Sequence, residues 1–173
     1  MRYGLLALLF VALAGCGSSS PPEAKPALPA SAVPGLEATT EAISAEDLAA
    51  DFGSDVTVEG FVSGTERVFQ GESHDLSRFV SRTLEFESPE AAAAYVELVR
   101  AHVDDLYGVG TTAKPFEEGG RAGYLVDPAA CACHRASPTV TGVVSEGSRV
   151  TYLEINGDGA TPEALGQLLR VAP

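Results

Sequence analysis

The chain has 173 residues, of which 45% are hydrophobic, a length and composition that suit one domain with a core of its own. Its 24 Asp and Glu outweigh 11 Lys and Arg to give a net charge of −13, which repels nucleic acid and opposes docking by charge on an anionic membrane. It has no Trp, and its single Met is the first residue, so an indole stacking platform and a Met-lined groove are both excluded.

Residues 1–15 carry one early positive charge at Arg2, an apolar run from Leu5 to Leu13, and small residues leading to Cys16. The run is shorter than the ~20 residues of a membrane-spanning helix, and its ends fit a cleaved export signal. Leu13-Ala14-Gly15-Cys16 resembles the lipobox of bacterial lipoprotein signal peptides. The resemblance implies cleavage before Cys16, a lipid anchor (with palmitate among its acyl chains) on that cysteine, and residence on the extracytoplasmic face of the cell membrane. Residues 16–40 then read as a tether. Pro21, Pro22, Pro26, Pro29 and Pro34 stand among Ser and Ala without apolar periodicity, which opposes helix and sheet alike.

Residues 41–173 read as a single globular domain. Ser44 and Asp47 form a capping-box pattern ahead of Leu48, Ala49 and Phe52, which predicts a helix of one or two turns. Asp55 to Val62 alternates, Ser63-Gly64 is a turn signal, and Thr65 to Phe69 returns, which predicts a hairpin. Ser77 to Phe86 reads as a longer strand. A helix from Ser88 to Tyr107 has its N-cap at Ser88, Pro89 at the first helical position, and Gly108 beyond its end. Tyr95, Leu98, Val99, His102, Val103 and Leu106 make its apolar stripe. Arg121 to Val126, Thr139 to Ser145 and Arg149 to Ile155 read as strands, the last two joined by Glu146-Gly147-Ser148. Thr161-Pro162-Glu163 opens a last helix with Leu165, Leu168 and Leu169 on its core side. Leu84-Glu85-Phe86 before Ser88-Pro89-Glu90 echoes Leu153-Glu154-Ile155 before Thr161-Pro162-Glu163, as a duplicated unit or as two generic helix starts. The sum is an α+β domain, an antiparallel sheet of about five to six strands packed against two main helices.

The chemistry-bearing cluster is Cys131-Ala132-Cys133-His134, bounded by Pro128 and Pro138. Assigning Cys16 to lipid leaves Cys131 and Cys133 as an even pair in an oxidising compartment, which favours a structural disulfide that fixes the loop. Alternatives are a copper or zinc site on Cys131, Cys133 and His134, completed by His74 or His102, a reducible redox couple, and thiols left unpaired or bonded between molecules. His102 is better explained as a core-edge residue on its helix stripe. Ser73-His74-Asp75 has triad residue types but consecutive side chains that cannot align as a triad. Asn156-Gly157-Asp158-Gly159 lacks the later ligands of a calcium loop and reads as a strand-to-helix turn. Asp104-Asp105 and Glu117-Glu118 read as solvated surface charge. The sequence contains no nucleophile elbow, phosphate loop or zincin helix.

The lipobox, the Pro/Ser/Ala tether, the Ser88-Pro89-Glu90 helix, the Cys131-Ala-Cys133 loop and the final hairpin and helix together resemble the small exported lipoproteins of GC-rich, actinobacterial Gram-positive bacteria. From residue 55 onward the order of elements is also similar to Mog1/PsbP-like domains. The expectation is a monomeric, non-catalytic binding or interaction module without a cofactor, anchored to the membrane through Cys16 and meeting an envelope protein, a peptide or a lipid. A metal- or thiol-handling envelope protein using the 131–134 loop is the alternative.

Overall fold

The computed structural model describes residues 28–53, 56–71, 77–127 and 138–172. Cys16, Cys131, Cys133, His134 and His74 lie outside them, as does the residue 1–15 segment.

The described chain forms β1 (Glu37–Ile43), α1 (Ala45–Phe52), β2 (Phe61–Gln70), β3 (Arg78–Phe86), α2 (Pro89–Ala101), α3 (Val103–Tyr107), β4 (Thr112–Glu118), β5 (Arg121–Asp127), β6 (Thr139–Glu146), β7 (Arg149–Asn156) and α4 (Pro162–Val171). All strand pairs are antiparallel, in the order β1-β2-β3-β7-β6-β5-β4. The sheet therefore has seven strands rather than five to six. Two short helices, α1 and α3, accompany the two main ones.

The helix starts follow their sequence signals. Ser44 Oγ accepts from the Asp47 amide at 3.1 Å, while Asp47 Oδ2 accepts from the Ser44 amide at 2.8 Å, a reciprocal capping box. Ser88 Oγ accepts from the Ala91 amide, and Thr161 Oγ1 from the Ala164 amide, each at 3.1 Å with proline following the cap. The helix expected to reach Tyr107 breaks at His102, whose ψ of 18° leaves helical geometry. The His102 amide and ring Nδ1 both meet the Leu98 carbonyl, at 3.2 and 3.0 Å. A carbonyl oxygen only accepts, so Nδ1 carries the proton. The chain restarts as α3.

Three further expectations change. The hairpin expected over residues 55–69 is one strand, β2, beginning at Phe61. Ser63-Gly64 sits inside it because a Cβ on Gly64 would come within 2.9 Å of Leu84 Cδ2 and 3.1 Å of the Phe61 ring. This glycine serves close packing rather than a turn. β1 takes in residues 37–40 of the expected tether, and Leu28 and Leu36 are buried in the core. β4 was not legible either. Its Pro115 lacks an amide hydrogen, and it is tolerated because β4 is an edge strand paired only with β5. The Gly119-Gly120 turn joining them has φ of +63° and +85°, the backbone a two-residue hairpin loop needs.

Successive residues of a strand face opposite ways, and the sheet uses both faces. Val140, Val144, Leu153, Ile155, Phe69 and Phe79 pack with Leu165 and Leu169 of α4. Val143, Val150, Tyr152, Val80 and Leu84 pack with Leu48 of α1 and with Ala92, Tyr95, Val96 and Val99 of α2. The two echoing strand–helix units thus send their helices to opposite faces of the sheet.

Candidate functional site

The face beneath α1, α2 and α3 is apolar except where it crosses the middle of the sheet. β3 alternates Val80, Arg82, Leu84 and Phe86 toward the helices, which places a guanidinium at a position the pattern reserves for a core residue. In the strand register Arg82 stands between Glu66 on β2 and Tyr152 on β7. Its Nε donates to Glu66 Oε2 at 2.6 Å, and its Nη1 donates to Asp51 Oδ2, in the last turn of α1, at 2.5 Å. The guanidinium carbon lies 5.2 Å from the centre of the Tyr152 ring. Burial by itself pulls the Arg82 pKa down. Asp51, Tyr152 and Glu66 more than reverse this and leave it raised, so the group is a permanent cation.

A second chain of polar groups joins this one. Tyr152 Oη donates to Glu154 Oε2 at 3.1 Å, and Arg78 Nη1 meets Glu154 Oε1 at 2.7 Å. Tyr107 Oη lies 3.1 Å from Tyr152 Oη. Either hydroxyl of that pair can be the donor. Burial raises the Tyr152 pKa well above the ordinary tyrosine value, and nearby Tyr107 and Glu154 raise it further. Burial also raises Tyr107, against the Tyr152 hydrogen bond, which lowers it. Both hydroxyls remain protonated at neutral pH.

Asp51, Arg82, Tyr107, Tyr152 and Glu154 wall a cavity of about 280 Å³, completed by Phe52, Tyr95, Val99, Asp105 and Leu106. The break at His102 gives it its upper wall, because it carries Asp105 to Tyr107 across the sheet face on α3. Tyr95 is the unusual member. It is only 4% exposed, and its hydroxyl makes no hydrogen bond to another described residue. Burial raises its pKa. Arg82, opposing that rise, and Asp51 and Tyr107, adding to it, are the charged or titratable neighbours that act on it. Unlike the sealed hydroxyls of Ser81 and Thr83, the Tyr95 hydroxyl opens on the cavity, where a bound molecule could reach it.

A larger hollow of about 500 Å³ runs beside α2 over Val58, Ala91, Ala94 and Leu98, rimmed by Glu59, Glu87 and Glu90. Tyr95 lines this hollow as well, but the carboxylates around the hollow are exposed, so it lacks a buried charged network of the kind around Arg82.

Of the residues singled out from sequence, Cys16, Cys131, Cys133, His134 and His74 fall outside the described residues. His102 is half-buried, its ring 5.6 Å from that of Phe52 and nearly perpendicular to it, with Nδ1 held by Leu98. That is the core-edge position expected of it. Asp104 accepts from the Gly110 amide at 3.0 Å, while the exposed Asp105 borders the cavity. Among the described residues no group of three or more His, Cys, Asp or Glu is placed to hold a metal ion, and no helix is long and apolar enough to cross a membrane. Sequence reasoning missed Arg82, Tyr107, Tyr152 and Glu154. The signal for Arg82 was present as a charge interrupting an alternating apolar strand face.

Comparison with known protein families, with characterised proteins and with solved structures finds no match to this chain.

Proposed function

We propose that this chain is a lipid-anchored, extracytoplasmic binding module that catalyses no reaction and takes a small polar ligand in the Arg82–Tyr95 cavity. The observation that carries the reading is the Tyr95 hydroxyl, which meets no described partner and opens from a buried side chain onto a preformed cavity. A binding role also suits the chemistry of the walls. General acid–base work needs a group that titrates near the operating pH. Here Arg82 and the three tyrosines Tyr95, Tyr107 and Tyr152 are all held away from neutrality in one protonation state.

Thermal unfolding of wild type and Tyr95→Phe against a panel of small polar molecules tests this. A ligand should raise the Tm of wild type and not that of the variant, with up to ~2.7 kcal/mol of stabilisation at a hundredfold excess over Kd. Turnover of such a ligand, or equal stabilisation of both proteins, would contradict the reading. The anchor is tested separately: labelled fatty acid should enter wild type and not Cys16→Ser.

The second reading rests on the Cys131-Ala132-Cys133-His134 motif, as a copper- or zinc-binding or thiol-exchanging loop. It requires stoichiometric metal on the reduced protein. Against it, we expect an oxidised chain lighter than the reduced form by two hydrogens and free of copper.

A further inference from the structure

We infer that the ligand of this cavity is a small organic cation bearing an ammonium group. The inference rests on the binding-module reading and adds the ligand's class. Three carboxylates, Asp51, Asp105 and Glu154, face the cavity against the single guanidinium of Arg82. That guanidinium is already committed to Asp51 and Glu66, so it has little field left for an anion. Asp105 is exposed at the cavity edge and forms no ion pair with a described residue. The Tyr95 hydroxyl supplies an oxygen acceptor deeper in, and the Phe52, Tyr95 and Tyr107 rings supply aromatic surface on which a cation is favoured.

Alternative ligand classes fare worse on the same walls. An anion would meet an excess of negative charge. A neutral polyol could donate a hydroxyl to Asp105 but would gain nothing from the net charge of −13, which draws cations toward the molecule. A bare metal ion would need a carboxylate cluster that the described residues do not form. The cavity, at about 280 Å³, lies just below the ~300–1,000 Å³ range of drug-sized pockets, which suits a molecule of few heavy atoms.

Ethanolamine, ethylene glycol and glycolate are close in size and differ in charge. Titration calorimetry of each into the unlipidated chain from residue 16 onward, which holds every described element, separates the three classes. Tyrosine fluorescence gives a second readout, since the chain has no Trp. Ethanolamine should bind at least about fivefold tighter than the other two, weaken with added salt, and lose at least about fivefold with Asp105→Asn. Asp105→Asn breaks no contact within the described fold, so its effect reads the ligand and not stability. The same ammonium group occurs on free amines and on phosphatidylethanolamine. Cosedimentation with phosphatidylethanolamine vesicles, without binding of free ethanolamine and abolished by Asp105→Asn, assigns the headgroup. Calorimetric binding assigns the free amine.

Preference for glycolate or glycol, lost in Tyr95→Phe, would overturn the ammonium class and leave the binding site standing. Ethanolamine binding indifferent to both Asp105→Asn and Tyr95→Phe would overturn both readings. Absence of binding to ethanolamine and to the vesicles would overturn the ammonium class alone, and the wider panel would then decide the site.

Discussion

The two faces of the central sheet are built from the same strands and solve different problems. On the α4 face, Phe79, Leu153, Ile155, Leu165 and Leu169 are all fully buried, and the Phe69 and Phe79 rings meet edge to face at 5.4 Å. The fully buried polar groups there are small hydroxyls, such as those of Ser81 and Thr83. On the other face the apolar pattern gives way to Arg82, Tyr152 and Glu154, and the broken helix leaves a hollow above them. Burial of this kind contributes ~1.5–3 kcal/mol per large apolar side chain. The α4 face therefore supplies stability, while the opposite face gives some of it up to keep a charged, partly open site.

Substitutions on each face sharpen that contrast. Phe79→Ala should cost the most, ~3–5 kcal/mol in denaturant unfolding, because it empties a closed and fully buried position. A loss below about 1 kcal/mol would mean that this face is not the stabilising one. Arg82→Met should cost less, ~1–3 kcal/mol, since it leaves Asp51 and Glu66 without their donor but in partial contact with water.

The tyrosines add a pH dependence peculiar to the cavity face. Tyr95, Tyr107 and Tyr152 have folded pKa values raised above the ordinary ~10, so the unfolded chain releases these protons first as pH climbs. Their contribution is complete below pH ~10 and falls above it by about 1.4 kcal/mol per pH unit per tyrosine until the folded form also ionises. Tyrosinate absorbance and unfolding should therefore move together in alkali, and Tyr107→Phe should flatten the loss.

Tyr95→Phe should have the smallest effect, within about 0.5 kcal/mol of wild type, because the hydroxyl it removes has no described partner. A destabilisation of 2 kcal/mol or so would show that the hydroxyl serves the fold.

Much of this contrast was written in the sequence, though unevenly. The caps at Ser44, Ser88 and Thr161, the β6–β7 hairpin and the leucines of α4 were readable because each is a local pattern with a local cause. β4 was hidden by Pro115, which reads as a breaker unless the strand is known to lie at an edge. Gly64 looked like a turn because only the partner strand reveals that Leu84 and Phe61 crowd it. The cavity was the least legible part. Arg82, Tyr107, Asp51 and Glu154 come together through sheet register and a helix break at His102, and none of them makes a motif along the chain.

The most direct test is a crystal structure of the unlipidated chain from residue 16 onward, grown with and without ethanolamine. The account predicts an ordered molecule whose ammonium group sits within hydrogen-bonding distance, about 2.7–3.2 Å, of both the Tyr95 hydroxyl and the Asp105 carboxylate. A Tyr95 hydroxyl bonded to a protein group in both crystals, above a cavity that stays closed to ethanolamine, would contradict it.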